Sequence, residues 1–551
     1  MTKFLATVSI FCWVLLLGLT QEVRAQTPAA FSNDEAACAA MLRTPNLTLT
    51  HAVLVPSLGD IPSYCYIQGS ISGRIRFHMQ LPLPPAWNGR LVNMGDGGKD
   101  GDLDFADHRL AQGYAVANSN TGHDVGTHPG ASFGSENMAS IIDFGYRAIH
   151  LTANASKAVV REYYRRQAEY AYFEGCSTGG RQGLMEAQRY PSDFDGIVSE
   201  APVYDYQTLN ATHVWMAQQV FKDDFAANLA FDTDGDGVPE SLTKLEILEN
   251  TVIDRCDASD GINDGLVSNP LSCDFNPDRD LAEWMCPAGT NADDCFTPRQ
   301  LQTLKDFYHG PVDGNGVHVW PGLELGSEYG WGRNVYAHEG NDMTPFRLIY
   351  GLDHVNYLFY EESPGVPMPV RNDTSQVPDK TATPPEFAWW EFNIDDLAAG
   401  KADFMMSLTD AKDPDLTRFL EREDGKLLLI HGWGDSEVQL QPTLNYYKSV
   451  VSATYGGNLD AARESIRLFM VPGMGHCGGG PGLEEFDRLA PLVDWVENGN
   501  APDYIVGQHR TNGIIDNQRR ICPYPELSTY VGPAGGQDVP ANWVERNFAC
   551  R

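Results

Sequence analysis

The residues best placed to do chemistry lie in Gly175-Cys176-Ser177-Thr178-Gly179. A Gly-x-Ser-x-Gly string occurs by chance in many glycine turns. Here the strand-like Ala171-Tyr172-Phe173 precedes it, and a helix-like run through Gln182, Leu184, Met185 and Ala187 follows. A serine held between strand and helix needs glycine neighbours, because the turn is tight and side chains would clash. Such a turn exposes the Ser177 hydroxyl and aims a helix N-terminus at it, which makes the Thr178 N–H a natural oxyanion donor.

A serine hydroxyl is a weak nucleophile at neutral pH and needs a histidine base oriented by a carboxylate. Two later segments offer them in the order acid then histidine: His431-Gly432-Trp433-Gly434-Asp435, and Gly473-Met474-Gly475-His476-Cys477-Gly478. Each follows a short apolar run, so each falls where open α/β sheets gather their sites. Asp435 alone reads as a helix N-cap and His476 alone as a surface histidine. Together with Ser177, in this order, the three read as a catalytic triad. His431 also leaves a strand end and reads as a pocket-wall residue, since using it as base would put histidine before acid.

These residues need a sheet to position them. Short apolar runs at 91–94, 114–117, 170–173, 196–199, 427–430 and 468–471 read as buried parallel strands. Helical patterns at 148–165, 180–190 and 442–451 alternate with them. The fold class is α/β, an α/β-hydrolase catalytic domain formed by 26–205 and 415–551, with a large inserted lid domain at 206–414. The lid carries four cysteines, acidic turns and the aromatics Trp320, Trp331, Trp389 and Trp390. Residues 363–385, rich in Pro, Thr and Asp, read as a surface loop.

The chain of 551 residues has a formal net charge of -35, which makes nucleic acid and anionic membrane poor partners. Residues 1–25 read as a cleavable leader, with Lys3 ahead of an apolar stretch at 4–19 and a Val23-Arg24-Ala25 cleavage site. Export without a membrane anchor is the expectation. Cys12 leaves with the leader, and the ten remaining cysteines imply disulfides. No pair has the Cys-x-x-Cys spacing of a structural zinc site.

With Cys176 just before the serine and Cys477 just after the histidine, the chain resembles the tannase and feruloyl esterase family, which includes hydrolases of mono(2-hydroxyethyl) terephthalate. The resemblance covers nearly all of the mature chain. It implies a Cys176–Cys477 disulfide, a Ser177, Asp435 and His476 triad, and Thr178 with Gly98 of Asp96-Gly97-Gly98 as oxyanion donors. It further implies the pairs Cys38–Cys65, Cys256–Cys273, Cys286–Cys295 and Cys522–Cys550. A lid calcium site is implied at 256–266, with Asp257, Asp260 and Asp264 ligating through carboxylates and Ile262 and Leu266 through carbonyls. Clustered carboxylates on a glycine-punctuated turn suit such a hard cation. By contrast Asp232-Thr233-Asp234-Gly235-Asp236-Gly237 imitates an EF-hand but has Thr243 at the twelfth position, and reads as an acidic turn leading to a helix.

The expected partner is a small ester of an aromatic acid, a hydroxycinnamate, gallate or terephthalate monoester. Arg333, Arg347 and Arg371 in the lid are candidates for a substrate carboxylate. A carbohydrate acetyl esterase or lipase would keep the triad and change the pocket. A non-catalytic binding protein would lack a triad member.

Overall fold

The computed structural model describes residues 33–135, 137–221, 226–342, 344–360 and 392–551. The leader, the 363–385 loop, Arg371, Trp389 and Trp390 lie outside these residues. A sheet of nine strands runs in the order β1-β2-β3-β5-β4-β6-β7-β8-β9. The strands β4 (Arg90–Met94), β5 (Ala115–Ser119), β6 (Tyr170–Cys176), β7 (Gly196–Glu200), β8 (Lys426–Gly432) and β9 (Ile466–Val471) are mutually parallel. They contain the six apolar runs, and β5, β7 and β9 are buried throughout. Both faces of this sheet are covered, so side chains alternate between two apolar layers: Leu427 and Leu429 point into one, Leu428 and Ile430 into the other. Each such leucine, fully buried, contributes on the order of 2 kcal/mol.

At one side of the sheet, β1 (Thr48–Val55), which forms its edge, β2 (Tyr64–Ile71) and β3 (Ile75–Pro82) are antiparallel. Their polar residues, as in Ile75-Arg76-Phe77-His78, break up the apolar run that marks the inner strands, and β1 is largely exposed.

Helix α1 (Ala148–Tyr164) precedes β6, and α2 (Thr178–Arg189) follows it. After β7 the chain leaves the sheet and returns at β8, which pairs directly with β7. The helices α3 (Tyr206–Phe221), α4 (Thr243–Cys256), α5 (Pro298–His309) and α6 (Phe346–His354) belong to the intervening segment, and α7 (Leu440–Tyr455) lies after it. Helix α5 starts on a Thr297/Gln300 capping box. The segment has its own apolar cluster, in which Leu248, Val252, Leu304, Phe307, Trp331 and Tyr336 are fully buried. A smaller cluster joins it to the sheet layer, bringing Tyr206 and Leu209 against Phe133 and Phe144. The α/β-hydrolase fold is thus present, with the insertion between β7 and β8. All five disulfides implied by the resemblance are formed: Cys38–Cys65, Cys176–Cys477, Cys256–Cys273, Cys286–Cys295 and Cys522–Cys550.

Candidate active site

Only Ser177 separates β6 from α2, and it takes φ 61° and ψ -119°. A non-glycine residue there carries about 1–3 kcal/mol of strain, which its surroundings must hold. The Ser177 N–H donates to the Glu200 carbonyl at the end of β7 at 2.9 Å. A Cβ on Gly175 would lie 2.7 Å from the Gly179 carbonyl, and one on Gly179 would lie 3.0 Å from the Gly95 carbonyl carbon. Both motif glycines are therefore required by close backbone approach. The Cys176–Cys477 bridge, with Cα atoms 5.9 Å apart, ties this turn to the loop after β9.

Asp435 and His476 meet as the sequence order predicts. The His476 Nδ1 lies 2.8 Å from Asp435 Oδ2. Asp435 is fully buried, and its Oδ1 accepts from the N–H groups of Glu437 and Val438 at 2.9 Å each. The capping behaviour expected of an isolated aspartate is thus present on one oxygen while the other serves the histidine. Burial alone would raise this carboxyl; His476 and His431 outweigh it and hold the group far below the usual carboxylate range. Burial lowers the imidazole of His476, and Asp435 reverses that and raises it above its ordinary value.

His431 is not a pocket-wall residue. It is fully buried behind Asp435, with Nε2 3.1 Å from Asp435 Oδ2 and Nδ1 2.9 Å from the Thr443 hydroxyl. His431, near the end of β8, stands four residues before Asp435 in the following loop, and that spacing brings its ring onto the carboxylate.

Ser177, Thr178 and His476 line one cavity of about 370 Å³, a size suited to a small organic ligand. Gly98 lines it too, at φ 65°, where an added Cβ would lie 3.3 Å from the Tyr350 hydroxyl. The Gly97 N–H is engaged by Asp96 Oδ1 at 2.8 Å, which favours Gly98 as the oxyanion donor of the two. The Thr178 hydroxyl donates to the Gly98 carbonyl at 2.7 Å and fixes this loop against α2. The aromatic wall comes from Tyr206 of α3 and from Phe346 and Tyr350 of α6. The two described tryptophans among those noted in the sequence lie elsewhere: Trp331 is buried in the insertion's core and Trp320 in the joining cluster. Of the arginines, Arg333 pairs with cavity-lining Glu437 at 2.8 Å and sits over the Phe346 ring, while Arg347 is buried and donates to the Ser436 carbonyl at 2.6 Å.

The sequence profile described as tannase and feruloyl esterase matches residues 65–541. The chain belongs to the tannase and feruloyl esterase family. It is a serine-type carboxylic ester hydrolase, as its relatives are. It is 32% identical over 550 residues to mono(2-hydroxyethyl) terephthalate hydrolase of Piscinibacter sakaiensis, covering 90% of this chain and 86% of that one. To feruloyl esterase B of Aspergillus niger it is 29% identical, covering 87% and 86%. The fold matches crystal structures of feruloyl esterase B from Aspergillus oryzae (TM-score 0.76, 23% identity, 94% of this chain and all of that one) and of tannin acyl hydrolase from Aspergillus niger (0.70, 19%, 94% of each).

In the acidic loop after α4, Asp257 accepts from the N–H groups of Asp264 and Gly265 at 3.1 and 2.8 Å. Arg519, fully buried on the strand Ile514–Ile521, donates to Asp260 at 2.8 Å and also pairs with Asp264. Asp264 Oδ1 is buried without a donor. One guanidinium against three carboxylates leaves two negative charges, which a divalent cation would balance. Among the described residues, two groups bring ligand atoms within 4.8 Å of one another: His150 with Glu186 and Asp193, and Asp232 with Asp234 and Asp236. Asp257, Asp260 and Asp264 are not such a group, and the Arg519 guanidinium bonds to two of their carboxylates. The 232–237 segment is an exposed turn in which Asp232 accepts from Gly235 and Gly237 at 2.6 and 2.8 Å.

Proposed function

We propose that the protein hydrolyses esters of aromatic acids through an acyl-enzyme on Ser177. One observation carries this reading: the buried Asp435–His476 pair and the strained Ser177 turn open on a single cavity walled by Tyr206, Phe346 and Tyr350. His476 Nε2 takes the Ser177 proton as Oγ attacks the ester carbonyl. Asp435, on the Nδ1 side, fixes the tautomer and stabilises the imidazolium that forms. The N–H groups of Thr178 and Gly98 receive the oxyanion, each worth roughly 10²–10³ in kcat. His476 then protonates the leaving alcohol, and the same cycle with water releases the acid.

The aromatic lining comes from helices of the 206–414 lid, so the insertion would select the acid while the sheet carries the reaction. The names of the relatives support an aromatic acid, whether feruloyl, galloyl or a terephthalate monoester. A structural calcium ion in the lid is part of this reading, held by Asp257, Asp260 and Asp264 and by the carbonyls of Ile262 and Leu266. The orphaned Asp264 oxygen and the residual charge of the loop support it. The ion would brace the loop against Arg519 rather than touch substrate. Secretion is likewise proposed, on the leader and on five disulfides that suit an oxidising compartment. Among the described residues no helix is long and apolar enough to cross a membrane.

Initial rates on methyl ferulate, methyl gallate, mono(2-hydroxyethyl) terephthalate and methyl acetate, with Ser177→Ala beside the wild type, test the proposal. An aromatic acyl ester should give the highest kcat/KM, and the variant should be inactive on all four. Preference for the acetate would refute the aromatic pocket; turnover by the variant would refute the nucleophile.

A further inference from the structure

Behind the catalytic machinery, three side chains from three segments converge. His150 lies in the first turn of α1, Glu186 near the end of α2, and Asp193 in the loop leading to β7. One ligand atom from each lies within 4.8 Å of the other two. Glu186 is 1% exposed, and neither of its carboxylate oxygens meets a donor. Asp193 is also buried, so two carboxylates face one another in a site sheltered from water. Such an arrangement needs a cation or a shared proton between them.

The surroundings favour a cation. His150 Nδ1 lies 2.6 Å from Asp193 Oδ2. The imidazole is stacked on Tyr190, with centroids 3.8 Å apart and planes 9° from parallel, and the Asn154 amide nitrogen lies 3.4 and 3.3 Å from its two ring nitrogens. The ring is therefore oriented before any ligand arrives. Lys157 donates to the Asp193 backbone carbonyl, which relieves part of the repulsion but satisfies neither carboxylate. The His150 side chain keeps 28% of its exposure, which leaves an approach from solvent.

We propose that His150, Glu186 and Asp193 bind a divalent transition ion, zinc foremost, which pins the far end of the nucleophile helix α2 to α1. One imidazole and two carboxylates are a borderline donor set, suited to zinc and its neighbours rather than to calcium, which takes six or more oxygens. With bonds of about 2.0 Å, a tetrahedral ion sets its ligands roughly 3.3 Å apart, so side-chain movements of about 1 Å complete the site, with water as fourth ligand. Glu186 stands eight residues beyond Thr178 on α2, about 12 Å along the axis, so the ion holds the helix and touches no substrate.

The test uses the full mature chain, stripped of metal and then kept in calcium so that the acidic lid loop does not contribute. Titration with Co²⁺ should give a visible d–d band saturating at one equivalent, displaced by Zn²⁺. Zn²⁺ should raise the melting temperature by about 3 °C or more. His150→Ala and Glu186→Gln should each lose both responses. Glu186→Gln can donate its amide to Asp193, so without metal it should melt at or above the wild-type temperature, which separates loss of binding from loss of fold. Absence of the band at one equivalent, or its persistence in both variants, would overturn the proposal in favour of a proton shared by the two carboxyls. Loss of the band in Asp232→Asn instead would also overturn it.

Discussion

Replacing Cys176 and Cys477 together by alanine should reduce turnover by more than the loss of stability explains. The two residues are 301 apart in sequence, and chain entropy alone gives a crosslink of that length about 6 kcal/mol, just above the range that disulfides deliver. That share is global and appears in the melting temperature. The local share is separate. Ser177 sits at φ 61° beside one cysteine, and the other cysteine, at φ 62°, adjoins His476. The bond thus joins one left-handed position, Cys477, to the neighbour of another, Ser177. Without it the histidine loop and the nucleophile turn relax independently, and a displacement near 1 Å between a nucleophile and its base costs about 10²-fold in rate. The assay is kcat on a small activated ester, at a temperature where near-ultraviolet circular dichroism shows the double variant fully folded. We expect a fall of about 10- to 100-fold. A folded double variant with wild-type kcat would refute the reasoning.

Three further outcomes follow from the site. Because Asp435 raises the imidazole of His476, kcat/KM should climb with pH as that proton leaves, through an inflection above the ordinary value of about 6.5; an inflection below it would contradict the buried pair. Substituting His431→Leu removes one of the donors to Asp435 and leaves the Thr443 hydroxyl unpaired, so kcat should drop about tenfold and stability by about 1–3 kcal/mol, read by rates and urea melts. Chelation should lower the melting temperature by several degrees, reversibly with added calcium, and leave kcat at low temperature unchanged; an unchanged melting temperature would argue against the lid ion.

Much of the site was legible because its signals are local. Each parallel strand carries a short, mostly apolar run, and the loops that follow three of them carry Ser177, Asp435 and His476 within a few residues of a strand end. The oxyanion loop was placed by resemblance, and only the hydrogen bond between Gly97 and Asp96 distinguishes Gly98 from its neighbour. What escaped the sequence is contributed from a distance. Tyr206 and Tyr350 meet at the cavity from helices some 140 residues apart, and Arg519 enters the acidic loop from 259 residues beyond Asp260. No periodicity encodes such contacts. The tryptophans drew attention by size, yet size is what commits Trp331 to a core. The strands β1 to β3 went unread because β1 is largely exposed and polar residues interrupt the pattern, as Arg76 and His78 do in the buried β3. His431 was visible but misplaced: its distance of four residues from Asp435 was the available signal.

The central claim is that Ser177 forms the acyl-enzyme, and a mechanism-based label tests it most directly. A fluorophosphonate reacts far faster with a serine activated by its histidine than with ordinary hydroxyls, so the labelled protein, reduced and cut with trypsin, should carry one adduct, on Ser177 in the peptide 167–181. Activity lost in proportion to that adduct is the predicted result. Inactivation with Ser177 unmodified, or an adduct on another residue, would contradict the account.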